Sequence, residues 1–392
     1  MKEYLGNIII AGAGLGGLTL ALCLARAGFK VTVLEQARVL GEVGAGVQIS
    51  ANGARVLYHL GLADALNAVA FKPERGEMRH WRTGETLGSR PLGKASEEAY
   101  GYPYFHLHRA DFHGVLAGAL ETAAPGAIHL NTKMAGFQQT GDRVQVRTED
   151  GRTFTGDILV GCDGIHSTTR SQLFGADAPT YTGCTAWRAT VPVASLPKDH
   201  VRPVASNWIG QGGHFVHYYV RRGELVNCVG VIEQDEWQAE SWSSAGSKAD
   251  FLADFSQWHE DVQILIRQAE SCFRWGLFVR DPMPRWRKGR VTLLGDACHA
   301  MLPFMAQGAV MALEDAYTLA QCLTSNADPE GALQRYEDLR RERTATVQKM
   351  AQDNIQFFHD AELPNLMERM SSHREAHLWL YSFDVTDQDF AY

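Results

Sequence analysis

No apolar run in this chain reaches the roughly 18 residues that a membrane-spanning helix needs. Positive charge is not in excess either: 37 Lys and Arg stand against 45 Asp and Glu, a formal net charge of −8. That balance argues against nucleic acid as a partner and against docking on an anionic membrane. Cys-x-x-Cys pairs are missing. The seven cysteines (Cys23, Cys162, Cys184, Cys228, Cys272, Cys298 and Cys322) are scattered and odd in number, which suits reduced packing thiols in a cytoplasmic protein better than a disulfide framework. His106 and His108 flank Arg109 with no acidic partner at metal-ligand spacing, so no metal site is expected. Residues 1–6 lead almost at once into a strand-like segment, so no signal peptide is expected. Repeats and low-complexity linkers are absent as well. What remains is ordinary globular composition, 45% hydrophobic and 21% charged over 392 residues, enough for a sizeable core in two lobes.

Residues 7–34 read as strand, helix, strand. Ile8-Ile9-Ile10-Ala11 is an apolar run, residues 15–27 carry Leu15, Leu18, Leu22 and Ala25 at helical spacing before Gly28, and Lys30-Val31-Thr32-Val33-Leu34 suits a buried parallel strand. A helix is predicted over 109–122. A small antiparallel sheet is predicted over 127–154, with turns at Gly141-Asp142 and Asp150-Gly151. A β-rich block follows from 181 to 233, with a hairpin around Arg221-Arg222-Gly223. Then come one helix over about 248–269, a strand over 273–279 and a mostly helical tail from 308 to 370. In that tail Arg335, Arg340, Arg341 and Arg343 lie among Glu337, Asp338 and Glu342, a pattern that predicts a solvated face with i,i+4 pairs. The order α/β, β-rich, α/β implies an α/β cofactor domain interrupted by an inserted β lobe.

Two glycine-marked turns, far apart in the chain, point to one dinucleotide. The first is Gly12-Ala13-Gly14-Leu15-Gly16-Gly17, with Gly12, Gly14 and Gly17 at G-x-G-x-x-G spacing. Such glycines permit a tight turn, backbone approach to a pyrophosphate and close packing of helix on strand. The helix N-terminus adds free N–H groups for the anion. Glu35 ends the second strand, with Gln36 after it, in the position that binds ribose hydroxyls. The second turn is Leu293-Leu294-Gly295-Asp296-Ala297, continuing to Cys298-His299, Pro303 and Gln307-Gly308-Ala309. A helix over 309–323 would aim its N-terminal dipole at whatever precedes it. Between the two lies Asp157-Ile158-Leu159-Val160-Gly161-Cys162-Asp163-Gly164, by itself a strand ending in an Asp-Gly turn.

These three motifs, in this order, resemble the single-component (class A) FAD-dependent aromatic hydroxylases, in the branch of salicylate hydroxylase, 3-hydroxybenzoate 6-hydroxylase and 6-hydroxynicotinate 3-monooxygenase. The resemblance covers nearly the whole chain. It implies a Rossmann-like FAD-binding domain of the glutathione-reductase-like, para-hydroxybenzoate-hydroxylase type, with an inserted β-sheet substrate lobe and a helical C-terminal region. FAD-binding parts are expected at 1–75, 101–178 and 275–350, substrate segments at 76–100 and 179–274, and a tail at 351–392. Gly44-Ala45-Gly46-Val47-Gln48-Ile49 matches the branch's stretch beside the flavin, and Gly46 and Val47 are expected at the cofactor. Arg109 matches its arginine on the ribityl and pyrophosphate side. Asp163-Gly164 matches the motif serving FAD and the pyridine nucleotide. Asp296 matches the ribityl carboxylate, and Pro303 the proline at the reactive edge. Gly308 and Ala309 follow from the dipole argument. Leu378-Trp379-Leu380-Tyr381-Ser382-Phe383-Asp384 also resembles this branch.

The implied reaction uses FAD, O₂ and NAD(P)H, with NADH favoured and docking transiently, and hydroxylates a small hydroxyaromatic acid through a flavin C4a-hydroperoxide. A phenolate is the better nucleophile, so an acceptor is needed at the ring hydroxyl, and an apolar wall is needed to exclude water. His214, in Gly213-His214-Phe215-Val216-His217-Tyr218-Tyr219, matches a histidine of the branch, and Tyr218 a tyrosine. Strand alternation puts His214, Val216 and Tyr218 on one face. His214, Tyr218 and Pro303 are therefore the catalytic candidates, and Gln48, His214, Val216 and Tyr218 the substrate-binding ones. His217 and His299 are expected to be structural. Gln48 stands where the hydroxynicotinate pattern has histidine, and Pro303 where the 3-hydroxybenzoate pattern has glutamine nearby. The salicylate-type reaction, decarboxylative hydroxylation to catechol, leads on that ground. The other two activities stay open. A flavin halogenase is disfavoured by the missing W-x-W-x-I-P segment, and a non-catalytic FAD module by the full motif set. A monomer or homodimer is expected, with no nucleic acid or membrane partner.

Overall fold

The computed structural model describes residues 6–41, 45–235, 246–360 and 366–391. Gly44 lies outside the described residues. The apolar strand Asn7–Ala11 sits inside a six-stranded sheet, where both its faces are covered. Lys30–Leu34 and then Ile128–His129 lie on one side of it, and Ile158–Gly161, Val291–Leu293 and Arg287–Lys288 on the other. All pairs are parallel except the last. Ile9 is opposite Thr32 on one side and Leu159 on the other. Three segments distant in sequence thus end side by side, and their carboxyl ends deliver Gly12, Asp163 and Gly295 to one edge. Ligands of open α/β sheets bind at that edge.

Helix Leu15–Ala27 stops at Gly28, whose φ of +103° suits a residue without Cβ and whose N–H caps the Leu24 and Ala25 carbonyls. It packs on helix Gly308–Ser325 through Gly16, where a Cβ would come within 2.7 Å of Leu294 Cδ2 and 3.1 Å of Ala312 Cβ. The strands Met134–Thr140, Arg143–Thr148 and Thr153–Gly156 form the expected small antiparallel sheet.

A seven-stranded sheet runs Cys272–Val279, Thr180–Pro192, Leu225–Glu233, Gly213–Val220, Val204–Gly210, Arg75–His80, Thr86–Pro91. Its two faces do different work. Trp187, Trp208 and Phe215 face a second core with Phe251, Phe255 and Trp258. That core corrects the single helix expected over 248–269. Two helices form, Lys248–Asp254 and Glu260–Gln268. The chain breaks between them so that Phe255 and Trp258 can both turn inward, and His259 caps the second helix by accepting the Asp261 N–H.

The helical tail needs a larger correction. Arg341 does pair with Glu337 four residues back, at 3.5 Å. Arg340 and Arg343, however, are buried. Helix Pro329–Phe358 lies against helix Gly308–Ser325, and these two arginines meet Glu314 and Asp315 beneath it. The charges follow a buried ion-pair logic that sequence spacing within one helix does not reveal.

Candidate active site

Gly12 adopts φ +106°, and a Cβ there would lie 2.4 Å from the Cys162 carbonyl oxygen. Gly17 is equally tight, with the Gly12 carbonyl oxygen at 2.1 Å from its would-be Cβ. Both glycines let strand, turn and helix close on one another. Gly14 differs: a Cβ there would meet nothing within 4 Å. It caps the helix N-terminus and faces open space where an anion would sit. Glu35 Oε2 accepts the Ala13 N–H and Oε1 the Ala37 N–H, both at 2.8 Å. The carboxylate is thereby fixed beside the turn with lone pairs to spare. Gln36 next to it is exposed.

Asp163 is a brace within its own turn. It accepts Ser167 Oγ at 2.5 Å and both the Thr169 N–H and Oγ1 at 3.0 Å. Arg109 opens helix Arg109–Ala123, and its N–H donates to the Ala45 carbonyl at 2.8 Å. In the buried stretch 291–300, Asp296 is the exposed residue. It opens a short helix, Asp296–His299, while His299 turns inward onto Asp315 at 2.5 Å, the structural place expected of it. Pro303 is also exposed, at the start of the tight turn Pro303–Met305. Gly308 and Ala309 are half-buried at the head of helix Gly308–Ser325.

The second face of the large sheet meets strand Gly46–Ile49. His214 and Tyr218 are 3% exposed, and Val216 between them is half-buried. Tyr218 meets strand Gly46–Ile49 so closely that a Cβ on Gly46 would lie 2.7 Å from its hydroxyl. The Gly46 N–H donates to Asn227 at 2.6 Å. Gln48, on the same strand, accepts the Tyr104 hydroxyl at 2.7 Å. At the other end of the strand, the His214 ring stands edge-on to Phe304, 4.8 Å between centroids, and 5.1 Å from Phe358. Its Nδ1 is 2.9 Å from His359 Nε2. Burial first, then His359, pushes the His214 imidazolium well below its ordinary range, so the ring is neutral. His217 faces the opposite core and takes the Trp208 indole N–H at 3.2 Å, the satisfied structural histidine that was expected.

Residues 6–354 match the family model described as FAD binding domain. The chain belongs to that family. It is 39% identical over 385 residues to a 3-amino-4-hydroxybenzoate 2-monooxygenase of Streptomyces platensis, covering 97% of this chain and 96% of that one. It is 38% identical over 356 residues to the 6-hydroxynicotinate 3-monooxygenase of Bordetella bronchiseptica, covering 89% and 91%. A salicylate hydroxylase solved as a substrate complex superimposes with a TM-score of 0.80 at 26% identity, over 97% and 96% of the two chains. This family member is an FAD-dependent aromatic monooxygenase of para-hydroxybenzoate-hydroxylase fold, with NAD(P)H as co-substrate. No helix among the described residues is long and apolar enough to cross a membrane.

The monooxygenase has a cradle that fits FAD: an open Gly14 at a helix N-terminus, a fixed Glu35, and an exposed Asp296 leading to Pro303 and Gly308. In this cradle Gly12–Gly17 and Glu35 would take the adenosine and pyrophosphate half, and Asp296 the ribityl hydroxyls. Asp296→Ala should weaken FAD retention about tenfold, the loss of one charge-assisted hydrogen bond. Flavin titration of the apoprotein checks this, and wild-type affinity would remove Asp296 from the cofactor site.

Sequence reasoning missed several neighbours of the site. Tyr104 lies two residues before His106, the strand partner of Gln48, and its hydroxyl reaches Gln48, so that pairing could have found it. Arg90 donates to Tyr381 at 3.1 Å and sits over the Tyr104 and Tyr381 rings. His359 caps the far end of helix Pro329–Phe358. Neither Arg90 nor His359 carries a local motif, and the chain brings them in from separate elements. Tyr381 gives the C-terminal Leu378–Asp384 stretch a place at this wall.

Proposed function

We propose that the enzyme hydroxylates a monocyclic aromatic acid that carries a ring hydroxyl, and that the hydroxyl and carboxylate stand apart on the ring. The observation that carries this reading is Arg90, which donates to Tyr381 and lies over Tyr104, whose hydroxyl reaches Gln48 beside the strand that carries His214. FAD, when bound, supplies the oxygen-transfer chemistry, with O₂ as oxidant and NAD(P)H, NADH favoured, as reductant. The chain's own residues do the rest. Neutral His214 accepts the ring hydroxyl's hydrogen bond and its proton. Phe304 and Phe358 exclude water beside it. Val216 and Gln48 line the ring, and Tyr104 holds Gln48. Pro303 forms the edge against which the ring lies.

Arg90 supports the acid. Its hydrogen-bond partners among the described residues are tyrosines, and no carboxylate among those residues pairs with it. A half-buried guanidinium without a counter-ion carries a desolvation cost, and a substrate carboxylate would offset it. His214 and Tyr218 are four residues apart on a strand, about 13 Å at 3.3 Å per residue. Arg90 lies toward the Tyr218 end, through Tyr104 and Gln48. A hydroxyl and carboxylate set apart on the ring would suit such a spacing better than a pair on adjacent carbons. This favours acids such as 3-amino-4-hydroxybenzoate or 6-hydroxynicotinate, the substrates named in the relatives, and puts 3-hydroxybenzoate with them. The salicylate-type reaction is the second reading, supported by the salicylate hydroxylase superposition.

A panel of 3-amino-4-hydroxybenzoate, 3- and 4-hydroxybenzoate, 6-hydroxynicotinate and salicylate tests the proposal. Substrate-stimulated NADH oxidation and product mass are read for each. Turnover of salicylate alone, with loss of CO₂, would overturn the preference. No stimulation by any acid would overturn the class of substrate. Arg90→Gln should raise KM for the favoured acid about tenfold, the scale of one charge-assisted bond, with kcat near wild type. The matching phenol without a carboxylate should show no such change.

A further inference from the structure

His214 has a second feature that its role as acceptor does not use. Its Nδ1 lies 2.9 Å from His359 Nε2. His359 Nδ1 in turn lies 2.9 Å from Glu233 Oε1. The series runs outward in exposure: His214 is 3% exposed, His359 4%, and the Glu233 side chain 55%. Backbone hydrogen bonds tie its parts together. The Gly212 N–H donates to the His359 carbonyl at 2.9 Å, and the Glu233 N–H to the Gly212 carbonyl at 2.8 Å. One hairpin therefore fixes both His359 and Glu233.

We infer that His214, His359 and Glu233 form a proton relay from the buried ring site to the surface, with His359 and Glu233 as positioning residues that act through His214. This rests on the proposed reading of His214 as the acceptor for the ring hydroxyl. The protons balance without any charged histidine persisting. The substrate O–H bond breaks as a bond forms to His214 Nε2. The His214 Nδ1–H bond breaks as one forms to His359 Nε2. The His359 Nδ1–H bond breaks as one forms to Glu233 Oε1, and the carboxyl then loses its proton to water. Both imidazoles end neutral and in the other tautomer, with a phenolate in the site and a proton in solvent. Return of a proton to the ring oxygen before product leaves resets them.

The hydrogen-bond order demands these tautomers. For His214 Nε2 to accept, Nδ1 must carry the hydrogen, so His359 Nε2 must be the acceptor and His359 Nδ1 the donor to Glu233. A carboxylate at the outer end selects that arrangement. Burial also explains the need for a relay. A histidine held neutral by desolvation cannot keep the proton it receives, so the proton needs a way out.

The experiment uses the FAD-loaded enzyme and the panel acid that turns over fastest. Stopped flow in weak buffer follows proton release with an indicator dye and ring ionisation by near-ultraviolet absorbance. Wild type should release one proton as the ring ionises. Glu233→Gln, at the exposed end and outside the core, should slow both signals about tenfold while the acid's Kd stays within about threefold. His359→Ala should slow them at least as much, and added imidazole should restore the rate, which a purely structural role would not allow. Wild-type release rates in Glu233→Gln and in folded His359→Ala would overturn the relay and leave His214 as acceptor standing. No ring ionisation in wild type, or no turnover of any panel acid, would overturn the acceptor reading and the relay together.

Discussion

His214→Ala should lower product formation about a hundredfold while FAD stays bound and NADH oxidation continues, its electrons appearing as hydrogen peroxide. The size follows from general-base assistance, which contributes about a hundred- to ten-thousandfold. The lower end applies because a phenol can still ionise slowly in an apolar wall that retains Tyr218 and Gln48. Uncoupling follows because His214 lies on the large sheet, whereas the glycine turns and Asp296 lie on the carboxyl edge of the six-stranded sheet. Removing the acceptor at the ring hydroxyl leaves the cofactor cradle intact. The measurements are product per NADH, peroxide yield and flavin content. Unchanged product per NADH at unchanged rate would end the assignment of His214. Loss of flavin from the purified variant would instead mean that His214 supports the fold around Phe304 and Phe358.

The fold and the glycines of the first turn were legible for a physical reason. Gly12 and Gly17 are dictated by backbone contacts at 2.4 and 2.1 Å, and a sequence must show glycine where no Cβ fits. Strand alternation likewise placed His214 and Tyr218 on one face and Phe215 and His217 on the other, which their partners Phe304 and Trp208 bear out. What stayed hidden lies across elements. Arg90, Tyr104 and His359 come from three places in the chain, and their proximity is a property of packing. Asp163 shows a milder case: the motif was visible, but its carboxylate binds Ser167 and Thr169. The arginines of the tail misled because an Arg–Glu pattern within four residues looks the same whether the helix faces water or a second helix. Only Glu314 and Asp315, on a neighbouring helix, decide it.

Those buried charges yield the other large effect: Arg340→Leu should destabilise the protein by about 3–5 kcal/mol, the cost of leaving a buried charge without its partner. Arg340 is 1% exposed, with Nη1 at 2.6 Å from Glu314 Oε2 and Nε at 2.7 Å from Asp315 Oδ1. Arg343 still holds Glu314 at 2.8 Å, and His299 still holds Asp315, so the variant keeps some compensation. The pH dependence gives the sign. Burial alone would raise Glu314, but Arg343 and Arg340 hold it below its ordinary range. Burial would likewise raise Asp315, but His299 and Arg340 hold it below. Depressed carboxylates contribute stability that is present above their unfolded pKa, about 4, and lost as pH falls through their folded values. Without Arg340 both carboxylates take up protons at higher pH, which relieves their unpaired charge. The gap between wild type and variant should therefore be wide at pH 8 and narrower at pH 5 in urea unfolding of the FAD-loaded protein. An equal gap at both would show that the variant suffers from lost packing, with charge secondary. The cluster also touches the cofactor, since Asp315 Oδ2 accepts the Gly295 N–H at 3.3 Å, one residue before Asp296. Faster flavin loss should accompany the instability, because the same carboxylate that balances Arg340 holds the turn that presents Asp296.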